Sequence, residues 1–259
     1  MAFTTIDDPS AHFTTTLYTG NASTNAITNS ANAGDFQPDW VWLKSRNSGT
    51  HHRLYDSSRG ALKNILSSAS NVEATTANSL TSFDSNGFTL GSDDNSNQSS
   101  KTFVGWQWKA NGGTTSSNSN GSITSTVQAN DTAGFSIVLY TGNETAGATI
   151  GHGLSAAPDV IIVKNRDTAR TWLVGHQSYV DGGNSENVRL NSTGGPASAD
   201  SQANSGWNRT VFGSSTFTVG NGIDGDFSSS TNNGTDDHVA YCFREIKGYS
   251  KFDSYTGNG

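Results

Sequence analysis

The sequence predicts an all-β protein: two tandem β-sandwich modules of jelly-roll or concanavalin-like type, followed by the start of a third. Three observations predict it. A block of motifs recurs in the same order in both halves of the 259 residues. Each block consists of short runs of alternating apolar and polar residues, rich in β-branched and aromatic types and bounded by Gly, Asn or Asp. Finally, charged residues make up only 14% of the chain, where roughly a quarter is usual, so its polar surface comes from Ser, Thr, Asn and 29 glycines. Those residues favour turns and strand edges over helices.

The repeat is carried by four anchors. LYTGN at Leu17 returns at Leu139, PDWVWLKSR from Pro38 pairs with PDVIIVKNR from Pro158, and GFTLG from Gly87 pairs with TFTVG from Thr216. TFVGWQW, ending at Trp108, matches DHVAYCF, ending at Phe243. The spacing drifts from pair to pair, as loop insertions produce. A third YTGN begins at Tyr255. The predicted organisation is a first module over 1–112, a Gly/Ser/Asn linker over 113–128 and a second module over 129–247. Residues 248–259 are the opening strand of a further module or a C-terminal tail.

In chain order the predicted strands are HFTTTLY, DWVWLK, LTSFD, GFTLG and TFVGWQWK, then GFSIVLY, DVIIVKN, RTVFG, TFTVG and HVAYCFREI. RGALKNILSS has the one plausible helical turn. Asn111–Ser122, NGGTTSSNSNGS, has the composition of a flexible linker. Many short strands without an intervening helical period imply two packed layers.

Charge and cysteine content narrow the functions. The net charge is −7 and Lys and Arg are scattered singly, so no basic stripe exists to displace counterions from a nucleic acid. The lone Cys242 sits in the apolar run VAYCF, which predicts a buried, inert thiol and folding in a reducing cytoplasm. No run approaches membrane-spanning length, and Asp7 and Asp8 stand where a signal peptide needs basic residues.

Candidate chemistry is sparse. Trp40/Trp42 and Trp106/Trp108 lie two apart on strands, so each pair points to one face, as sugar-stacking platforms do. In the second half their places are taken by Val160, Ile162, Tyr241 and Phe243. Exchange of Trp for other apolar residues predicts core filling, with Trp40, Trp42, Trp106, Trp108, Tyr241 and Phe243 as structural core. Trp207, in a Gly/Asn/Ser loop, is the candidate exposed contact, with Asp224 and Asp226 as further ligand-binding candidates. Asp93, Asp94, Asp236 and Asp237 offer hard oxygens for Ca²⁺, although none has the spacing of a calcium loop, and no cofactor is expected. GNGIDG from Gly220 matches G-x-G-x-x-G, but with no helical pattern after it the run reads as a turn. The histidines make no metal spacing, no G-x-S-x-G elbow is present, and Glu73, Glu144, Glu186 and Glu245 form no recognisable glycosidase pair. The expectation is a non-enzyme.

The runs AFTTIDDPSAHFTTTLYTGN, PDWVWLKSRNS, TFVGWQWKANGG, GSITSTVQANDTAGFSIVLYTGN, IGHGLSAAPDVIIVKNRD and AYCFREIKGYSKFDSYTGNG together resemble virion-associated proteins of tailed phages, especially marine and cyanobacterial ones. The resemblance spans nearly the whole chain. It implies repeated β-rich modules of a tail-fibre or appendage protein, exposed on the virion, made in the host cytoplasm, and contacting other virion proteins and host-surface glycans. Homo-oligomeric packing is expected, with a trimer suited to a fibre, although no heptad or collagen-like segment for a shaft is present. The alternatives are a capsid-decorating protein, a carbohydrate-binding adhesin module and, last, a polysaccharide depolymerase.

Overall fold

The structure is a computed structural model describing residues 4–29, 35–180, 186–198, 201–223, 225–253, 255, 256 and 258. The first half contains β1 (Phe13–Thr19), β2 (Asn25–Thr28), β3 (Trp40–Ser45), β4 (Arg53–Asp56), β5 (Lys63–Leu66) and β6 (Ala74–Thr75). It continues with β7 (Leu80–Asp84), β8 (Gly87–Leu90), helix α1 (Asp94–Asn97) and β9 (Thr102–Trp108). Next come β10 (Ser116–Asn118), β11 (Ser125–Asn130), β12 (Phe135–Thr141), β13 (Thr149–Gly151), β14 (Val160–Asn165) and β15 (Leu173–His176). The chain closes with β16 (Glu186–Arg189), β17 (Ala197–Ser198), β18 (Thr216–Thr218), helix α2 (Gly225–Asn232) and β19 (Asp237–Phe243). The all-β class is as the composition predicts.

The duplication is visible in the topology. One large sheet runs β1-β9-β3-β4-β5-β6, and the other holds the corresponding order β12-β19-β14-β15-β16-β17, extended at one edge by β11 and β10. Register matches as well: Phe13, Trp108 and Trp40 lie side by side in the first sheet, as do Phe135, Phe243 and Val160 in the second. Each large sheet carries a smaller one, β2-β8-β7 in the first half and β13-β18 in the second.

Strand alternation sends successive side chains to opposite faces, and both faces of each large sheet are apolar. On one face of the first sheet Val41, Leu43 and Tyr55 pack on Ile27, Leu80, Phe88 and Leu90 of the small sheet. The second sheet does the same with Val138, Ile161, Ala240 and Cys242 against Ile150, Phe217 and Phe227. The opposite faces meet each other, so that Trp40, Leu54 and Ile65 pack on Phe135, Ile137, Val239 and Tyr241. Trp40 stacks on Tyr241 with ring centroids 4.3 Å apart and an interplanar angle of 21°. Burying one such ring contributes about 4–6 kcal/mol at ~25 cal/mol per Å² of apolar surface.

A buried polar network crosses the same junction. The Tyr241 hydroxyl donates to Asp56 Oδ2 at 2.7 Å and accepts from Arg59. Arg59 also pairs with Asp56 and Glu73, and Arg166 binds Glu73 from the other half through two hydrogen bonds of 3.0 Å. Trp172 Nε1 donates to the Leu66 carbonyl. A buried carboxylate must be paired in this way or remain neutral.

The recurring YTGN motif has a structural cause. The Tyr18 hydroxyl donates to the Ser96 carbonyl and the Tyr140 hydroxyl to the Thr231 carbonyl, both at 2.7 Å. Asn97 Oδ1 then accepts from the Asn21 amide, and Asn232 Oδ1 from the Asn143 amide. The intervening Gly20 and Gly142 admit close backbone approach, since a Cβ at these positions would stand 2.2 Å from the Gln98 carbonyl oxygen and 2.6 Å from that of Asn233. Each copy thus ties the end of a long strand to the short helix after the small sheet. In the third copy, Tyr255 is 93% exposed, and the described residues of 248–259 lie in no strand.

Several local expectations are corrected. Residues 113–128, expected as linker, hold β10 and the beginning of β11, which cover the edge of β12. RGALKNILSS forms no helix and contributes β5, while RTVFG forms no strand. GNGIDG is followed by a helix, α2, but the neighbouring strands are antiparallel, so no βαβ phosphate cradle exists. There Gly222 makes room for the end of that helix: its φ is +74° and a Cβ would meet the Asn232 carbonyl oxygen at 1.8 Å.

Candidate functional site

The four paired tryptophans all lie on the junction face of the first sheet, but they do not share one fate. Trp40 on β3 and Tyr241 on β19 are buried, 1% and 0% exposed. Trp42, Trp106, Trp108 and Phe243 are half-buried, and Trp42, Trp108 and Phe243 pack against the junction core while keeping part of their rings open. The indoles that the second sheet does not fully bury line hollows.

Two hollows share the Trp42 and Trp108 rings. The first, about 310 Å³, is bounded by Trp42, His52, Trp106 and Trp108. The second, about 360 Å³, runs from Trp40, Trp42 and Trp108 to Phe13, Phe243, Tyr249 and Phe252, with Arg244 and Ser250 as its polar members. Register explains the cluster: Trp42 lies opposite Trp106, and Trp40 opposite Trp108, on adjacent antiparallel strands. Cross-strand neighbours of this kind sit within ring contact. The Trp42 and Trp106 rings meet edge to face at 6.4 Å and 80°, and Phe13 lies 4.8 Å from Trp108.

Few polar groups are built into this surface. The Trp42 indole N–H donates to His52 Nδ1 at 2.8 Å, which fixes the imidazole as the tautomer protonated on Nε2. Burial, then the charges of Lys44 and His51, lower the His52 pKa and keep the ring neutral. The indole N–H of Trp40 is buried without an acceptor among the described residues. Apolar ring faces edged by a few fixed donors suit flat, partly apolar ligands such as sugar rings.

The other sequence candidates fall elsewhere. Trp207 is 0% exposed and packs on Phe212 and Phe217, so the expected exposed contact is a core residue of the second half. Its ring fills the space over Gly175, where a Cβ would stand 2.6 Å from the indole. Asp224 and the side chain of Asp226 lie outside the described residues. Asp93 accepts from Ser96 and Asn95 within its own turn, and Asp94 is an exposed residue of α1. Asp236 accepts from Asn165 and Asn233, and Asp237 from Thr141. Among the described residues no three His, Cys, Asp or Glu side chains gather to hold a metal ion. Cys242 is fully buried, and burial pushes its thiol up to about 12.

The sequence reading missed His52 as a partner of the indoles. The signal was its place immediately before β4, the strand beside β3, where the chain brings its ring to Trp42. A family model described as a domain of unknown function, DUF7483, matches residues 8–259. No curated protein and no solved structure matches the chain.

Proposed function

As the chain belongs to the DUF7483 family, its role has to be read from its own geometry, and we propose that it is a structural module of a tailed-phage virion that contacts host-surface glycans. The observation that carries the contact is the ring of half-exposed indoles Trp42, Trp106 and Trp108 beside His52. Aromatic faces of this kind stack on the C–H faces of sugar rings, while the His52 Nε2–H and the free indole edges supply donors. The virion assignment is supported by the resemblance of the repeated motifs to phage appendage proteins. Two halves fused face to face and cross-linked by Arg59, Glu73 and Arg166 suit a particle component that must keep its shape under load.

Two measurements test this reading. Peptide mass spectrometry of purified virions should recover the chain, and its absence removes the virion assignment. Titration of the host's surface polysaccharide should quench tryptophan fluorescence in the native chain and fail to do so in Trp106→Ala. Equal binding by both proteins would remove the glycan site. A free adhesin using Trp207 as its contact is disfavoured by the burial of that ring.

A further inference from the structure

The outer edge of the first large sheet is β1. It pairs with β9 over seven consecutive residues without a bulge, and among the described residues no strand lies beyond it. The Gly20 amide donates to the Lys101 carbonyl and the Lys109 amide to the His12 carbonyl, so the even-numbered residues of β1 face β9. In an antiparallel ladder the alternate residues then direct their N–H and C=O outward, namely Phe13, Thr15, Leu17 and Thr19. Among the described residues only the Thr19 carbonyl is taken, by the Asn25 side chain.

Such an edge is normally blunted by charge, proline, a bulge or brevity. FTTTLYT contains no charge and no proline, and Leu17, on the tryptophan face of the sheet, is 60% exposed. The other edges are protected: β6 and β17 have two residues, β10, β13 and β18 three, β2 four, and β7 is bulged. The corresponding strand of the second half, β12, is not left open. It is covered by β11, an uncharged strand pairing antiparallel with it over five residues.

We infer that β1 is a homotypic interface, where two copies of the chain pair β1 to β1 in antiparallel fashion about a two-fold axis. The second copy is the occupant because the strand is self-complementary. It is uncharged along its length, so a two-fold sets no like charges opposite each other, and outward-facing odd positions meet odd positions in any allowed register. A two-fold perpendicular to the sheet keeps side-chain faces in common, which covers both Leu17 side chains and leaves both tryptophan grooves opening on one face. One open edge among the described residues of each chain closes the assembly at two copies. This inference is independent of the glycan reading.

Light scattering coupled to size exclusion on the full chain, across a concentration series, tests it. The native chain should run at twice its monomer mass. Leu17→Pro deletes an outward N–H that β9 does not use and should yield a monomer with an unchanged circular dichroism spectrum. Should that variant fold poorly, surface variants replace it. Thr15→Lys with Leu17→Lys, and Thr15→Glu with Leu17→Glu, should each be monomeric alone and form a dimer when mixed. A native chain that is monomeric at high concentration, a trimer, or a dimer that survives all of these substitutions would each overturn the inference.

Discussion

Glu73 and Arg166 grip each other across the junction of the two halves, with the Arg166 Nε and Nη2 donating to the two carboxylate oxygens at 3.0 Å. The buried Arg59 donates to Oε2 of the same carboxylate at 2.9 Å. One carboxylate therefore holds two guanidinium groups from different halves. Its loss should loosen the junction rather than either half's inner core.

Removing that carboxylate is the first prediction. Glu73→Ala leaves the Arg59 charge short of a partner in a dry site and should cost about 3 kcal/mol, read as a lowered denaturation midpoint. Glu73→Gln should cost less. Unchanged stability in both variants would show that the network contributes nothing net.

Acid should act at the same place. Burial of Glu73 opposes its charge, but hydrogen bonds from Arg166 and the charge of Arg59 overcome this and hold the carboxyl at about 2, against an ordinary 4.5. A depressed carboxyl stabilises the fold fully above its unfolded pKa and loses that contribution as pH falls through 4.5 towards 2. His238 adds an earlier loss: burial lowers it from 6.5 to about 4, so protons favour the unfolded chain from about pH 6.5 downward. Denaturation midpoints should fall in two stages on acidification, and Glu73→Gln should remove the lower stage alone.

The motif tyrosines give a matched pair of tests. Tyr140→Phe removes a hydroxyl that donates to a buried helix carbonyl and should cost about 1–2 kcal/mol. Tyr18→Phe should cost a similar amount through the Ser96 carbonyl. A null result at both positions would mean that water replaces the hydroxyl without penalty.

The two classes of tryptophan should separate on mutation. Trp40→Ala and Trp207→Ala empty dense cores and should each cost about 3–5 kcal/mol. Trp106→Ala, at a half-exposed site, should cost far less. Chemical denaturation of the three variants checks the order.

Cys242 should resist alkylation. With its thiol pushed up to about 12 by burial, the native chain should not react with iodoacetamide at pH 8, while the unfolded chain labels rapidly. Fast labelling under native conditions would contradict the burial.

The long strands and the duplication were legible in the sequence because β1, β3, β9 and their counterparts are six or seven residues long and rich in aromatic and β-branched residues. Short strands such as β4 (RLYD) and β5 (KNIL) were not, since four mixed residues become a strand only through the neighbour they pair with. Helix α2 escaped because GDFSSSTN has loop composition, yet buried side chains such as Thr231, whose hydroxyl donates to the Gly206 carbonyl, hold it in place. Trp207 was misjudged from its polar flanks when the informative residue was Gly175, distant in sequence and lacking the Cβ that would block the ring. The sequence did not show that Trp40 is buried while Trp42, Trp106 and Trp108 keep part of their rings open. Comparing matched positions of the two halves assumes matched surroundings, but here the matched faces are packed against each other, and the degree of burial varies from ring to ring.

That face-to-face packing bears on how the chain can be handled in the laboratory. Cutting it between the repeats would strip Trp40, Leu54 and Ile65 on one piece, and Ile137, Val239 and Tyr241 on the other, of their apolar cover. Either piece expressed alone would carry a greasy slab the width of a sheet and clump, so soluble truncations should be sought only at the outer ends.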